Sequence, residues 1–259
     1  MDLGLTGKTA LLCASNAGLG LACAKEVAAE GANVVINGRN QDKTQAAAAE
    51  LAVVAKGDVF SVLADVTTDE GRAKLLAACP DPDILLTNNA GPKPKRFLET
   101  DREDWETTLQ ANYIAPILLV RAVLPGMVAR RFGRIVNITS AMVTTPRPHH
   151  TLSAGARAGL TASLKAASLD VARYNVTINN LLPERIDSPR QRDMARAAMQ
   201  REGLSFEDAR AAQVTSIAAR RLGKLEEFGA MFAFLCSEQA SYVSGSNMHL
   251  DGGSYPGLV

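Results

Sequence analysis

The chain has 259 residues, 47% of them hydrophobic, and its 28 basic and 27 acidic side chains leave a formal net charge of +1. Near-neutrality gives no global field for nucleic acid or an anionic membrane, so neither is expected as a partner. The four cysteines, Cys13, Cys23, Cys79 and Cys236, form no C-x-x-C pair and sit in apolar segments, which fits buried, reduced thiols and neither a disulfide frame nor a zinc site.

From the N-terminus, MDLGLTGKTALL lacks a basic region followed by a full apolar signal core. KTALLC (8–13) is a short apolar run, followed by GLGLACAKEVAAEGA (18–32) with helical spacing. ANVVING (32–38) is rich in β-branched residues, QDKTQAAAAELAVVA (41–55) is again helical, and DVFSVLA (58–64) is the third apolar run. Thr67 and Glu70 then have the spacing of a capping box. DILLTNN (83–89) follows, and the best uncharged apolar stretch, Ile114 to Val120, is too short to cross a bilayer. GRIVNITS (133–140), NVTINNLLP (175–183) and SNMHLDGG (246–253) complete seven predicted strands with helical stretches between them. Apolar strands alternating with helices predict an α/β protein whose parallel sheet is covered on both faces. No linker, repeat or low-complexity stretch divides the chain, so residues 1–259 read as a single doubly wound (Rossmann) domain. The arginine-rich helical segment 184–222 is the natural place for a substrate lid within it. A soluble cytoplasmic protein is the expectation.

In open sheets of this kind ligands bind beyond the carboxyl ends of the strands. After the first strand, CASNAGLG (13–20) places Gly18 and Gly20 at the opening of a helix. Glycines there let the backbone approach a pyrophosphate, and the helix N-terminus favours its charge; an ordinary tight turn is the alternative. After the second strand, Gly38 leaves room and Arg39 supplies a cation suited to a 2′-phosphate, which favours NADP(H) over NAD(H); a solvated arginine is the alternative. Asp65-Val66 ends the third strand, where it frames an adenine or merely terminates the strand, and NNAG (88–91) ends the fourth.

Together with Asn112, with Ser140 at the end of GRIVNITS and with the closing LDGG (250–253), these motifs resemble the short-chain dehydrogenase/reductase family over nearly the whole chain. The resemblance is greatest to the 3-oxoacyl-carrier-protein reductase branch, in a subgroup with an imperfect cofactor motif and catalytic tetrad. It implies cofactor contacts from Ser15, Asn16, Gly18, Leu19 and Gly20 in the first turn, and from Arg39, Asp65 and Val66 at the next strand ends. It implies further contacts from Asn89, Ala90 and Gly91 after the fourth strand, and from Arg157 and Ile186 beyond. Where the family fingerprint reads T-G-x-x-x-G-x-G, this chain has Cys13 and Ala14 in the first two places, so Ala14 puts a methyl group where backbone is usually bare.

The family pairs its serine with a downstream Tyr-x-x-x-Lys. Thirteen residues on from Ser140 stands Ser153, and four further on Arg157, with the flanking A-G-L (158–160) in register. Tyrosine has become serine and lysine arginine. A phenol with a reference pKa near 10 is tuned towards neutrality by an adjacent cation; an aliphatic hydroxyl is a far weaker acid, and a guanidinium does not give up its proton. The standard proton relay is therefore absent. The resemblance implies a catalytic set of Ser140, Asn112, Ser153 and Arg157. Pro116 lacks the N–H that would bond the Asn112 carbonyl, which frees that carbonyl to hold a water, the role the family gives it; a kink made for packing is equally consistent. His149 and His150 are possible proton carriers, although two solvated loop histidines are the safer reading. Glu184 replaces the glycine usual after Pro183 and brings a carboxylate near the expected nicotinamide pocket. Lys93, Lys95, Arg96, Arg147, Arg185 and Arg190 flank strand ends, suited to an anionic substrate such as an acyl thioester or simply solvated. The small residues from Ala154 to Ala162 allow close helix contact, and in the family this helix helps form the dimer and tetramer interface, so a homodimer or homotetramer is expected.

Two readings follow. One is an NADP(H)-dependent oxidoreductase acting on a carbonyl or alcohol, of the 3-oxoacyl thioester or small ketone class. The other is a nucleotide-binding sensor, scaffold or partner subunit that has lost its chemistry.

Overall fold

A computed structural model describes residues 1–258 of the chain. Its strands are β1 (Thr9–Leu12), β2 (Asn33–Gly38), β3 (Val59–Leu63), β4 (Ile84–Thr87), β5 (Gly133–Ile138), β6 (Val176–Pro183) and β7 (Asn247–Leu250). They lie in the order 3-2-1-4-5-6-7 with every pairing parallel. Each predicted apolar run holds one strand, trimmed by up to three residues where a turn begins. The helices are α1 (Gly18–Ala29), α2 (Gln41–Val54), α3 (Asp69–Ala78), α4 (Arg102–Leu109), α5 (Ala115–Arg130), α6 (Thr151–Val171), α7 (Pro189–Glu202), α8 (Phe206–Val214) and α9 (Leu225–Cys236).

Successive strand residues point to opposite faces, and both faces are buried. Leu12, Ile36 and Leu86 pack on one side against α1 and α9 residues such as Val27, Phe228 and Phe232. Leu11, Val35 and Leu85 pack on the other against Leu75, Leu119 and Leu160. This two-sided burial is why the strands read as unbroken apolar runs. The α1–α9 contact is backbone-close: a Cβ on Gly229 would meet the Ala22 carbonyl oxygen at 2.7 Å, so only glycine fits. All four cysteines are buried and free, as their apolar surroundings predict, and burial pushes the Cys13 thiol up to about 12.

Two local expectations are corrected. Thr67 and Glu70 form no capping box: the Thr67 hydroxyl bonds Asp65 Oδ1 at 2.7 Å, and Thr68 caps α3 by accepting from Gly71 N. The bend expected from Pro116 takes the form of a π-helical turn, Gln110–Ile114, in which Ala115 N–H bonds the Gln110 carbonyl. Helix 102–130 is thus continuous over 29 residues and, unlike the short Ile114–Val120 run, is apolar and long enough to cross a membrane; in the fold its Leu119, Val120, Val123 and Met127 pack beneath the sheet. Two of the small residues of α6 also lie against other parts of the chain. A Cβ on Gly155 would lie 3.1 Å from Trp105, and one on Gly159 would lie 3.4 Å from Tyr113.

Segment 184–222 carries α7 and α8, joined through Gly203, whose φ of +68° closes α7 in the left-handed conformation. Between β1 and β4 the strand order reverses direction, and the crevice at this switch point holds the site.

Candidate nucleotide-binding and active site

A cleft of about 1380 Å³ opens beyond the carboxyl ends of the strands. The fold brings to its wall Asn16, Gly18 and Leu19 from the first turn, and Arg39, Asp65 and Val66 from the ends of β2 and β3. Asn89, Ala90, Gly91, Ser140, Ser153, Arg157 and Ile186 line it as well. Ser15, Gly20 and Asn112 are not on the wall.

The first turn is built around Ala14, which sits at φ +44°, a left-handed conformation that favours glycine. Its N–H donates to Asn37 Oδ1 at 3.1 Å, and its carbonyl accepts from Asn88 Nδ2 at 3.0 Å. Ser15 is turned away from the cleft: its hydroxyl donates to the Leu12 carbonyl at 2.6 Å and accepts from Asn37 N–H. Its side chain therefore braces the turn from inside and leaves the cleft to its neighbours. Gly20 lies under the turn, where a Cβ would come within 2.7 Å of the Ala14 oxygen and 2.8 Å of Ser15 Cα. This close-packed turn at the N-terminus of α1 has the bare backbone and the helix end that favour an anion.

At the end of β2, a Cβ on Gly38 would overlap the Asn16 amide, which donates to Thr44 Oγ1 at 3.0 Å. Arg39 reaches Asp65 at 3.5 Å while remaining two-thirds exposed. Burial raises the Asp65 pKa, but two hydrogen bonds from Thr67 and the Arg39 charge outweigh it and hold the carboxyl below its ordinary value. Arg39 is thus aimed across the pocket by an ion pair of the weak surface type, easily exchanged for a phosphate.

Ser140 closes β5 and caps the short 3₁₀ turn Ala141–Val143, accepting from Met142 N–H at 3.2 Å. Arg157 donates from Nη1 to Ser153 Oγ at 2.7 Å, and both residues are buried. Arg134, also buried, satisfies its guanidinium with the carbonyls of Ser237, Gly133 and Asn175 and the Asn175 side chain. Among the described residues Arg157 has only Ser153, and no carboxylate lies within ion-pair distance. Desolvation, helped by Arg190, brings its pKa down to about 10. It remains charged at neutral pH, with donors directed into the cleft and unused by the protein.

Asn112 is buried, and its side chain supports the loop after β4, with Nδ2 3.4 Å from the carbonyls of Ala90 and Thr108. Asn89 grips the same helix through the Ala111 carbonyl at 3.3 Å. The Asn112 side chain therefore positions the NNAG loop and does not line the cleft. Glu184, buried, is ion-paired with Arg147 on the cleft wall. His149 and His150 also reach the wall. Burial, then Arg147, Arg190 and Arg185 in turn, and last His149, lower the pKa of His150, so its imidazole is neutral at pH 7. Of the cations flanking the strand ends, Lys95 is committed to Asp104 at 2.6 Å.

Sequence reasoning passed over Asn37 and Asn88. Asn37 ties the first turn to the carbonyls of Val62 and Ala64 at the end of β3. Its signal was a polar residue in an otherwise apolar strand, where a buried amide must find partners.

A parallel sheet with a glycine-opened helix at its switch point defines the class: a dinucleotide-binding α/β domain. The family model described as enoyl-(acyl carrier protein) reductase matches residues 13–255. The 3-oxoacyl-[acyl-carrier-protein] reductase FabG of Escherichia coli (strain K12) is 30% identical over 249 residues, covering 96% of this chain and 98% of the relative. Nodulation protein G of Rhizobium sp. (strain N33) is 31% identical, covering 96% and 97%. The L-sorbose reductase of Gluconobacter frateurii, solved with NADPH and L-sorbose, superposes with a TM-score of 0.94 at 29% identity and full coverage of both chains. The chain belongs to the short-chain dehydrogenase/reductase family.

Proposed function

We propose that this protein is an NADP(H)-dependent oxidoreductase that interconverts a carbonyl and an alcohol without the tyrosine–lysine pair of its relatives. The observation that carries the reading is Arg157, a buried cation on the cleft wall with one protein hydrogen bond and no acid partner. The close-packed turn at Gly20 suits a diphosphate, and Arg39 suits a 2′-phosphate. NADPH in the L-sorbose reductase complex, and the name of the NADPH-dependent reductase BacG of Bacillus subtilis (strain 168), support the same cofactor. When bound, the dinucleotide supplies or accepts the hydride.

The remaining work falls to the chain. Ser140 donates to the substrate oxygen, and Arg157 binds the nicotinamide ribose and stabilises negative charge developing near Ser153. No side chain here is a strong proton donor at neutral pH, so in reduction the proton comes from water. In alcohol oxidation the neutral His150 is available as a base. Segment 184–222, with α7 and α8, acts as the substrate lid. The protein works in the cytoplasm as a homodimer or homotetramer, for which the exposed Leu169 on α6 and the exposed Ile114 offer apolar surface.

The alternative, a cofactor-binding sensor or partner subunit without turnover, is favoured by the same Ser153–Arg157 bond, which closes the two replaced residues on each other. Fluorescence titration with NADPH and NADH, followed by turnover on a broad carbonyl and alcohol panel, separates them. NADPH binding with no turnover of any substrate selects the alternative.

A further inference from the structure

The strand end after β6 carries a charge arrangement that the cofactor does not account for. Arg185 holds φ +57°, a left-handed backbone that a long side chain rarely adopts. Its half-buried guanidinium lines the cleft with no ion pair or hydrogen bond of its own among the described residues, and the nearby Glu184 carboxylate offsets only part of the effect of burial and of the Arg147 charge. Arg190, in the first turn of α7, reaches the loop after β4 and donates to the carbonyls of Gly91 at 3.2 Å and Pro92 at 3.0 Å. Both acceptors are neutral. Glu184 is ion-paired with Arg147, so its single charge is shared between that residue and Arg185. Strain and desolvation retained for an unpaired cation point to a ligand that repays them.

The first turn at α1 suits the cofactor diphosphate and Arg39 its 2′-phosphate, so Arg185 and Arg190 are in surplus. We propose that these two guanidinium groups bind a carboxylate of the substrate, so that the compound turned over is a hydroxy acid or an oxo acid. The planar fork of arginine matches a carboxylate in two-pronged fashion. The Glu184 carboxylate in the same wall favours a monoanion over a phosphate dianion. The proposal rests on the oxidoreductase reading of the cleft for the words hydroxy and oxo; the anion site itself stands apart from it.

The test is calorimetric titration of the NADPH-saturated protein with acetoacetate and with longer 2- and 3-oxo acids, each against its methyl ester. At least one acid is expected to bind about tenfold or more tighter than its ester. The variant carrying Arg185→Met and Arg190→Met should erase that preference while the NADPH Kd moves by less than about threefold. Equal affinity across every acid and ester pair overturns the proposal, and that comparison needs no variant. A double variant that loses NADPH affinity while keeping its acid preference also overturns it, assigning the two arginines to the cofactor diphosphate. Turnover is read separately. Acid-selective binding without reduction keeps the carboxylate site and defeats the oxidoreductase reading, whereas equal binding with reduction of both members does the reverse.

Discussion

The Arg157 guanidinium donates a 2.7 Å hydrogen bond to the Ser153 hydroxyl one helical turn before it, at the positions where the family resemblance implies lysine and tyrosine. The pair is self-satisfied on one side only: one oxygen meets one of five guanidinium N–H groups. Restoring the family pair is therefore a direct test of the site. Ser153→Tyr with Arg157→Lys should raise carbonyl reduction by about 10²–10⁴-fold, the usual worth of general acid catalysis. Tyrosine alone should gain less, since the guanidinium head crowds a phenol. Steady-state kinetics on small ketones and 3-oxoacyl substrates, with the NADPH Kd checked in parallel, reads the outcome. No gain in a variant that binds NADPH normally removes this pocket as a reduction site.

Removing the Arg157 charge should stabilise the protein when no ligand is bound. Its pKa falls from the ordinary guanidinium value to about 10, so the unfolded chain holds the proton more tightly. Stability from this group rises with pH only between those two values, and at neutral pH the penalty is constant. Arg157→Met should thus raise the thermal midpoint, by an amount equivalent to about 1–3 kcal/mol, and diminish the further rise produced by NADPH. A lower midpoint in the variant would show that the guanidinium is paid for by contacts within the fold.

Cofactor preference should follow Arg39. A charge-assisted hydrogen bond contributes about 1.5–3 kcal/mol, so NADPH should bind about tenfold or more tighter than NADH. Arg39→Ala should abolish the difference by weakening NADPH alone. Equal affinities in the unaltered protein, measured by nicotinamide fluorescence, would refute it.

Ala14→Gly should be neutral to stabilising. A left-handed alanine costs about 1–2 kcal/mol, and the extra freedom of an unfolded glycine returns about 0.4–1 kcal/mol of that. A net gain of up to about 1 kcal/mol corresponds to a rise of about 2–4 °C in Tm for a chain of this size. Differential scanning calorimetry decides; a loss of several degrees would mean that the methyl group packs usefully.

His150 gives the protein an acid limb. Burial, then Arg147, Arg190 and Arg185, and His149 last, lower its pKa below 6.5. The unfolded chain therefore binds the extra proton first, and stability falls as pH drops through about 6.5 towards the folded value. His150→Asn should flatten the Tm profile between about pH 5 and 7, whereas an unchanged profile would assign the acid sensitivity to other groups.

The seven strands were readable because a parallel sheet buried on both faces demands unbroken apolar runs, and runs such as DILLTNN and NVTINNLLP supply them. The cleft-lining residues were readable where the backbone itself sets position, as at Gly18 and Ser140. Side-chain direction was not. Ser15 and Asn112 stand at the right places in the chain yet spend their polar groups on the fold, because a tight turn and a π turn each expose backbone groups that need partners. The unpaired state of Arg157 was equally invisible, since it depends on which acids from distant segments arrive, and none does.

The π turn at Gln110–Ile114 holds one residue more than an α-helical turn and so rotates α4 against α5 by about 100°. That offset lets Trp105 and Tyr113 seat against Gly155 and Gly159 while Leu119 and Val123 still face the sheet. Deleting one residue there would give a more regular helix and swing Trp105 off α6. This segment therefore accepts changes of residue but not of length, and chains that align with it across a gap here belong to a differently phased interior.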